Sequence, residues 1–199
     1  MPEAIIFDIG NVLLRFDFSV FARRVAPFCS ARPEPFDGLL EPLKIRLESG
    51  RISGDTFLEE AAGFLGFSGD PSLLRSAWQE IFTPIEATHA LVERLHNRRP
   101  LFLLSNTNDL HAEYFLSRYP VFSRFKDAVY SHECGLMKPD ASIYRHALEK
   151  FNLRSEQVFF IDDLYPNVEA ARASGWRTHH YSADSHHLLL EELEALGAV

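Results

Sequence analysis

The chain has 199 residues and a formal net charge of −8, an acidic balance that disfavours nucleic acid and anionic lipid surfaces as partners. Hydrophobic residues make up 46% of it and Phe alone fills 17 positions, a composition that builds one full core and excludes a disordered chain. Its two cysteines, Cys29 and Cys134, do not have the spacing of a thiolate metal site and are expected as buried free thiols in a reducing compartment.

The N-terminus carries neither a basic stretch nor an apolar run of the length that a signal peptide or membrane span needs, so a cytoplasmic location is expected. A strand is predicted over residues 4–9, and Asp8 sits at its end, just before Gly10 and Asn11. Residues 16–82 then read as helical stretches over 18–28, 42–48, 55–64 and 71–82, punctuated by Gly50, Ser53 and Gly54, with no strand and with Thr83-Pro84 closing the segment. A helix follows over 86–98, where Ala87, Leu91 and Leu95 recur at intervals of four. Four more strands are predicted at 101–105, 128–131, 158–161 and 178–182. A helix start near Asn108 and helices over 142–151, 167–174 and 185–196 lie between and after them. The first, second and fourth apolar runs are almost unbroken in Ile, Val, Leu and Phe, as parallel strands covered on both faces are.

The predicted fold is therefore α/β: a Rossmann-like parallel-sheet core formed by residues 1–15 and 84–199, with a small helical cap at 16–83 inserted after the first strand. Inserted there, the cap is expected to act as a lid over the site. The alternative is that its helices simply cover one face of the sheet.

Four groups of polar residues fall at or just beyond predicted strand ends: Asp8, Ser105-Asn106-Thr107-Asn108, Lys138-Pro139 and Asp162-Asp163. In an open parallel sheet the loops beyond the carboxyl ends converge on one crevice, so these residues are expected to meet. Carboxylates without clustered His or thiolate favour a hard oxygen-liganded cation such as Mg²⁺, which also binds substrate phosphate. Ser105, the backbone amides after it and Lys138 suit the oxygens of a transferring phosphoryl group. Lys138 beside the acids keeps them ionised, and an ionised Asp8 is a candidate nucleophile for an aspartyl-phosphate intermediate.

The series "IIFDIGNVL", "LLSNTN", "GLMKPDASIY" and "VFFIDDLYPNVEAA" resembles the haloacid dehalogenase superfamily of phosphohydrolases, in particular its members with a helical cap after the first strand and, among these, small sugar-phosphate phosphatases. The resemblance implies Asp8 as nucleophile and Mg²⁺ ligand, with the carbonyl of Gly10 and the carboxylate of Asp163 as further ligands. It implies Ser105 and Asn106 as phosphate-binding groups and Lys138 as the charge that neutralises phosphate and Asp8. Asp162 would contact Lys138 or a metal-bound water, and Asn167 would be a polar support behind the acids. The implied substrate is a small phosphorylated metabolite.

One position departs from the pattern. Many members carry an Asp two residues after the nucleophile as general acid and base, and here that residue is Gly10. The resemblance extends to members with Asp-x-Gly-Asn that are themselves read as phosphatases, so the substitution need not abolish activity; alternatively the leaving group departs without protonation, which favours sugar 1-phosphates or acyl phosphates, or another group substitutes, such as Asp17 or a cap residue. A haloacid dehalogenase using Asp8, or a weakly catalytic phospho-ligand binding domain, are the rival functions. The pairs His179-His180 and His186-His187 are expected to be structural or surface residues; His179 and His180, as neighbours on a strand, point to opposite faces and are poorly arranged to chelate one ion.

Overall fold

In the computed structural model, which describes residues 2–30 and 36–198, the first strand is β1 (Ala4–Phe7), every residue of which is buried. The chain leaves it through a turn at Asn11, whose φ of 51° is left-handed, and enters a short strand β2 (Leu14–Phe16). Four helices follow: α1 (Phe18–Val25), α2 (Phe36–Glu48), α3 (Gly54–Leu65) and α4 (Pro71–Gln79). The chain returns through β3 (Phe82–Pro84), which pairs antiparallel with β2. The remainder alternates: α5 (Glu86–Leu95), β4 (Leu101–Ser105), α6 (Asp109–Arg118), β5 (Asp127–Tyr130), α7 (Ser131–Cys134), α8 (Ala141–Phe151), β6 (Val158–Asp162), α9 (Tyr165–Ala173), β7 (Arg177–His180) and α10 (His186–Ala195).

The five main strands form a parallel sheet in the order β5-β4-β1-β6-β7. The three near-continuous apolar runs are its central strands. Alternation with period two divides their side chains between two cores. Ile5, Phe7, Leu101, Leu103, Phe159 and Ile161 pack with Leu91 and Leu95 of α5, Phe115 of α6 and Leu189 of α10. Ile6, Phe102, Leu104, Val158 and Phe160 pack with Ile143, Tyr144 and Phe151 of α8 and Ala171 of α9. β1 lies between β4 and β6, so the chain direction across the sheet reverses there, where open α/β sheets bind ligands.

Helices α1 to α4 enclose an apolar cluster of their own, built on Phe21, Leu43, Leu47, Phe57, Leu65 and Trp78. Leu110 of α6 is the side chain from the sheet-flanking helices that enters it. The hairpin β2/β3 was not expected, because three-residue strands are too short for a period-two pattern to show. The helix predicted from Pro42 begins earlier, at Phe36, and carries Pro42 inside it; proline ends helices by default, but here its position gives up one backbone hydrogen bond without a break. The helix predicted to reach Phe82 stops at Gln79, since Ile81 and Phe82 turn back toward the sheet. Both cysteines are free but only half-buried, which corrects the expectation of full burial. Among the described residues no helix is long and apolar enough to cross a membrane.

Candidate active site

Asp8, Ser105 and Asp162 stand at the carboxyl ends of β1, β4 and β6, and Lys138 reaches them from the connection that follows β5. Asp8 follows β1 and is held by its N–H, which donates to the carbonyl of Ile161 on β6 at 2.9 Å. Asp162 ends β6 and Ser105 ends β4. Lys138 arrives from the loop after α7, across a cis Lys138–Pro139 bond. Its ammonium is buried and lies 3.0 Å from Asp8 Oδ1 and 2.6 Å from Asp162 Oδ2, while donating at 3.0 Å to the carbonyl of Leu104.

Asn106 explains why Lys138 stands there. Its side-chain Nδ2 donates to the Lys138 carbonyl and its Oδ1 accepts from the Lys138 N–H, both at 2.9 Å. The Asn106 amide is thereby spent on positioning Lys138, and its backbone N–H is left without a hydrogen-bond partner among the described residues. Ser105 is buried at the floor of the same cavity, and its hydroxyl takes no hydrogen bond among the described residues.

Asp162 is equally committed. Its Oδ1 accepts from the Leu164 N–H at 2.8 Å and from Asn167 at 3.0 Å, and its Oδ2 accepts from Lys138 and again from Asn167 at 3.1 Å. Asn167, on α9, is fixed in turn by the Tyr144 hydroxyl, which donates to its carbonyl at 2.9 Å. Asp163 turns the other way and accepts from Asn11 Nδ2 at 3.1 Å.

The electrostatics follow from burial. Desolvation pushes the Asp8 carboxyl up to about 7, Lys138 opposing and Asp162 and Asp163 adding. Burial also raises Asp163, against the pull of its bond from Asn11. Burial works against the charge on Lys138, yet Asp162 and Asp8 hold its ammonium above the ordinary range. Three acids and one cation leave the pocket rich in negative charge.

Carboxylate oxygens of Asp8, Asp162 and Asp163 come within 4.8 Å of one another. Asp162 has no acceptor to spare, whereas Asp8 Oδ1 is buried without a hydrogen-bond partner, its contact with Lys138 being an ion pair. The carbonyl of Gly10 likewise accepts no backbone hydrogen bond among the described residues. Asp8, Asp163 and the Gly10 carbonyl are thus an all-oxygen donor set, which suits a hard divalent cation.

A family model described as haloacid dehalogenase-like hydrolase matches residues 2–175. The chain belongs to this hydrolase family. Acyl-CoA dehydrogenase family member 10 of Mus musculus is 27% identical over 159 residues, covering 76% of this chain, while the chain spans only 15% of that protein's length. A HAD family enzyme of Bacteroides thetaiotaomicron, solved in complex with magnesium and inorganic phosphate, has the same fold: TM-score 0.85, 23% identity, 94% of this chain and 99% of that one covered. A predicted HAD-like family hydrolase of Porphyromonas gingivalis aligns with a TM-score of 0.79 and 26% identity over 98% of each chain.

In this haloacid dehalogenase-like hydrolase the cavity above Asp8 has a volume of ≈ 220 Å³. Beyond the predicted residues it is lined by Phe16, Phe18, Lys44, Glu48 and His111. His111 is a neutral linker: burial pushes its pKa down to about 3, Nδ1 pairs with Asn108, Nε2 meets the Trp78 carbonyl at 3.0 Å, and the ring stacks on Trp78. It ties α6 to α4. Lys44 pairs with Glu41 at 3.0 Å and lies over the Phe18 ring. The helical contributors were not legible in the sequence, because nothing in an amphipathic pattern says which polar residue of a helix overhangs a distant strand end. Asp17 is ruled out as a replacement acid: it caps α1 by accepting from the Ser19 N–H, which holds its carboxyl low, and it is exposed. His179 and His180 diverge as expected, the first to Glu192 and the second to the Asp163 carbonyl, both at 2.8 Å.

Proposed function

We propose that this hydrolase is a phosphatase of small phosphorylated metabolites, working through an aspartyl phosphate on Asp8 with Mg²⁺ as cofactor. The observation that carries the reading is the buried ammonium of Lys138, held between Asp8 and Asp162 beneath an open cavity. A cation fixed there neutralises both the nucleophile and an incoming phosphoryl oxygen, and phosphoryl transfer depends mainly on such positioning and charge. Ser105 and the Asn106 N–H offer donors beside it.

Asp8, Asp163 and the Gly10 carbonyl would hold the Mg²⁺. When bound, it would neutralise the pocket's excess negative charge and lower the barrier to anion approach. The magnesium and phosphate in the Bacteroides enzyme of the same fold support this assignment. Asp162 and Asn167 act by positioning Lys138 and the strand end. In this reading residues 16–83 are a cap, 1–15 and 84–199 the catalytic core, and the hairpin β2/β3 the neck between them. A sugar 1-phosphate stands first among candidate substrates, since its anomeric oxygen leaves more readily than an alkoxide.

A panel of sugar phosphates, mononucleotides and acyl phosphates tests the reading by phosphate release with Mg²⁺ and with chelator. Turnover that requires metal and vanishes in Asp8→Asn is the expected outcome. Metal-independent halide release from 2-haloacids would make it a dehalogenase instead, and phosphate-ester binding without turnover would make it a binding domain.

A further inference from the structure

Position 10 is glycine, and the Phe16 ring stands against it. A Cβ built there would lie 3.0 Å from Cε1 of Phe16. Phe16 is fixed by pairing with Phe82 across β2/β3 and by an edge contact with Phe18 at 5.6 Å between ring centroids. A side chain at position 10 would have to push against the Phe16 ring, which is 40% exposed, and with glycine there a proton donor has to approach from elsewhere.

The ionisable side chains lining the cavity are few. Lys138 is bound to Asp8 and Asp162, His111 uses both ring nitrogens, Lys44 pairs with Glu41, and Asp163 accepts from Asn11. Glu48 has no hydrogen bond or ion pair among the described residues, although it lines the same cavity and is half-buried. It is the last residue of α2, at the negative end of that helix.

The backbone after Glu48 is pinned to the sheet-flanking elements at two points. Gly50, at φ 67°, passes so close to α7 that a Cβ would come within 2.1 Å of the His132 carbonyl oxygen. Four residues on, the Gly54 N–H donates to Asp109 Oδ2 at 2.8 Å. Glu48 is thus placed over the site by main-chain contacts and not by a free-swinging helix.

We propose that Glu48 is the general acid and base of the reaction, in place of the acid absent at Gly10. This rests on the phosphatase reading above. As Asp8 attacks phosphorus, the bond from phosphorus to the leaving oxygen breaks, its electron pair goes to that oxygen, and the Glu48 carboxyl supplies the proton. The resulting carboxylate takes a proton from the water that attacks the aspartyl phosphate. The bond from phosphorus to Asp8 then breaks, which frees phosphate and returns both carboxyls to their starting states. Burial pushes the Glu48 carboxyl up to about 7, with Lys44 opposing and Glu41 and Asp8 adding, so near neutral pH it is poised both to give and to take a proton. His132, on the neighbouring α7, is turned to the Thr107 carbonyl. A donor at Glu48 extends the substrate range to simple alkyl phosphates, whose alkoxides need protonation.

The test compares wild type and Glu48→Gln on an alkyl phosphate and on 4-nitrophenyl phosphate, whose phenolate departs unprotonated. We expect the variant to lose about 10²–10⁴-fold in kcat on the alkyl ester. On the aryl ester it keeps a rapid burst of one equivalent of nitrophenolate, then stalls with Asp8 phosphorylated. The burst also reports that the variant is folded. Alkyl turnover within about threefold of wild type, or loss of burst and alkyl turnover alike, overturns the role of Glu48. A wild type that releases phosphate from neither ester overturns the phosphatase reading itself, and this inference with it.

Discussion

At the scale of single residues, the site is a small amount of charge held in a dry place. Lys138 is the keystone, since among the described residues its ammonium is the one cation in contact with both Asp8 and Asp162. Breaking a buried ion pair by removing one partner typically costs about 3–5 kcal/mol, because the other charge is stranded. Lys138→Met should therefore lower the melting temperature sharply as well as abolish turnover, and thermal unfolding followed by circular dichroism checks it. Asp162 with Asn167→Asp is the converse case: a second carboxylate would replace the two bonds that Asn167 donates to Asp162, and the expected result is a metal-free protein less stable at pH 8 than at pH 5. These roles were only partly legible in the sequence. Asp8, Lys138 and Asp163 stand out as charges at or beyond strand ends, whereas nothing in the sequence says that the Asn106 side-chain amide clamps the Lys138 backbone.

At the scale of elements, position is set by main-chain contacts between segments distant in sequence. Gly50 and Gly63 make a matched pair of tests. Gly50→Ala adds a methyl where the His132 carbonyl already stands and where φ is left-handed. The conformational cost alone is about 1–2 kcal/mol, and the shift of the α2 terminus should also reduce kcat. Gly63, inside α3, has nothing within 4 Å of a built Cβ. Gly63→Ala should raise stability by roughly 0.5–1 kcal/mol and leave kcat unchanged. Denaturant midpoints and turnover of the two variants separate these effects. The sheet strands were readable because apolar runs buried on both faces have few other uses. The start of α2 was not, because Pro42 argues for a helix boundary, whereas the helix begins at Phe36 and runs through it.

At the scale of the whole molecule, buried titratable groups give the metal-free protein a pH dependence of definite sign. The folded pKa values of Asp8 and Glu48 are raised to about 7 from 3.8 and 4.5. A carboxyl raised in this way contributes its full stability below the unfolded pKa and loses it as pH rises through the folded one. His111 acts oppositely: with its pKa lowered from 6.5 to about 3, its contribution is present above 6.5 and is lost as pH falls toward 3. In chelator, the melting temperature of wild type should fall between pH 5 and pH 7.5. Asp8→Asn should fall less, and Mg²⁺ should recover much of the loss, since metal binding to the folded state adds stability by linkage. An equal pH slope in wild type and Asp8→Asn would contradict the assignment of Asp8 as the group that carries the cost.

The sequence by itself determined the α/β class, the parallel central strands and the four polar groups at their carboxyl ends, because hydrophobic period and strand-end chemistry are local properties. Tertiary structure alone decided which of those groups are free to react. Asp162 and Asn106 are consumed by hydrogen bonds to partners 24 and 32 residues away, and a bond between distant segments leaves no trace in either one. It also decided what lines the cavity with Asp8: Phe16 against Gly10, and Glu48 at the end of α2, just before the glycine that lets the backbone touch α7.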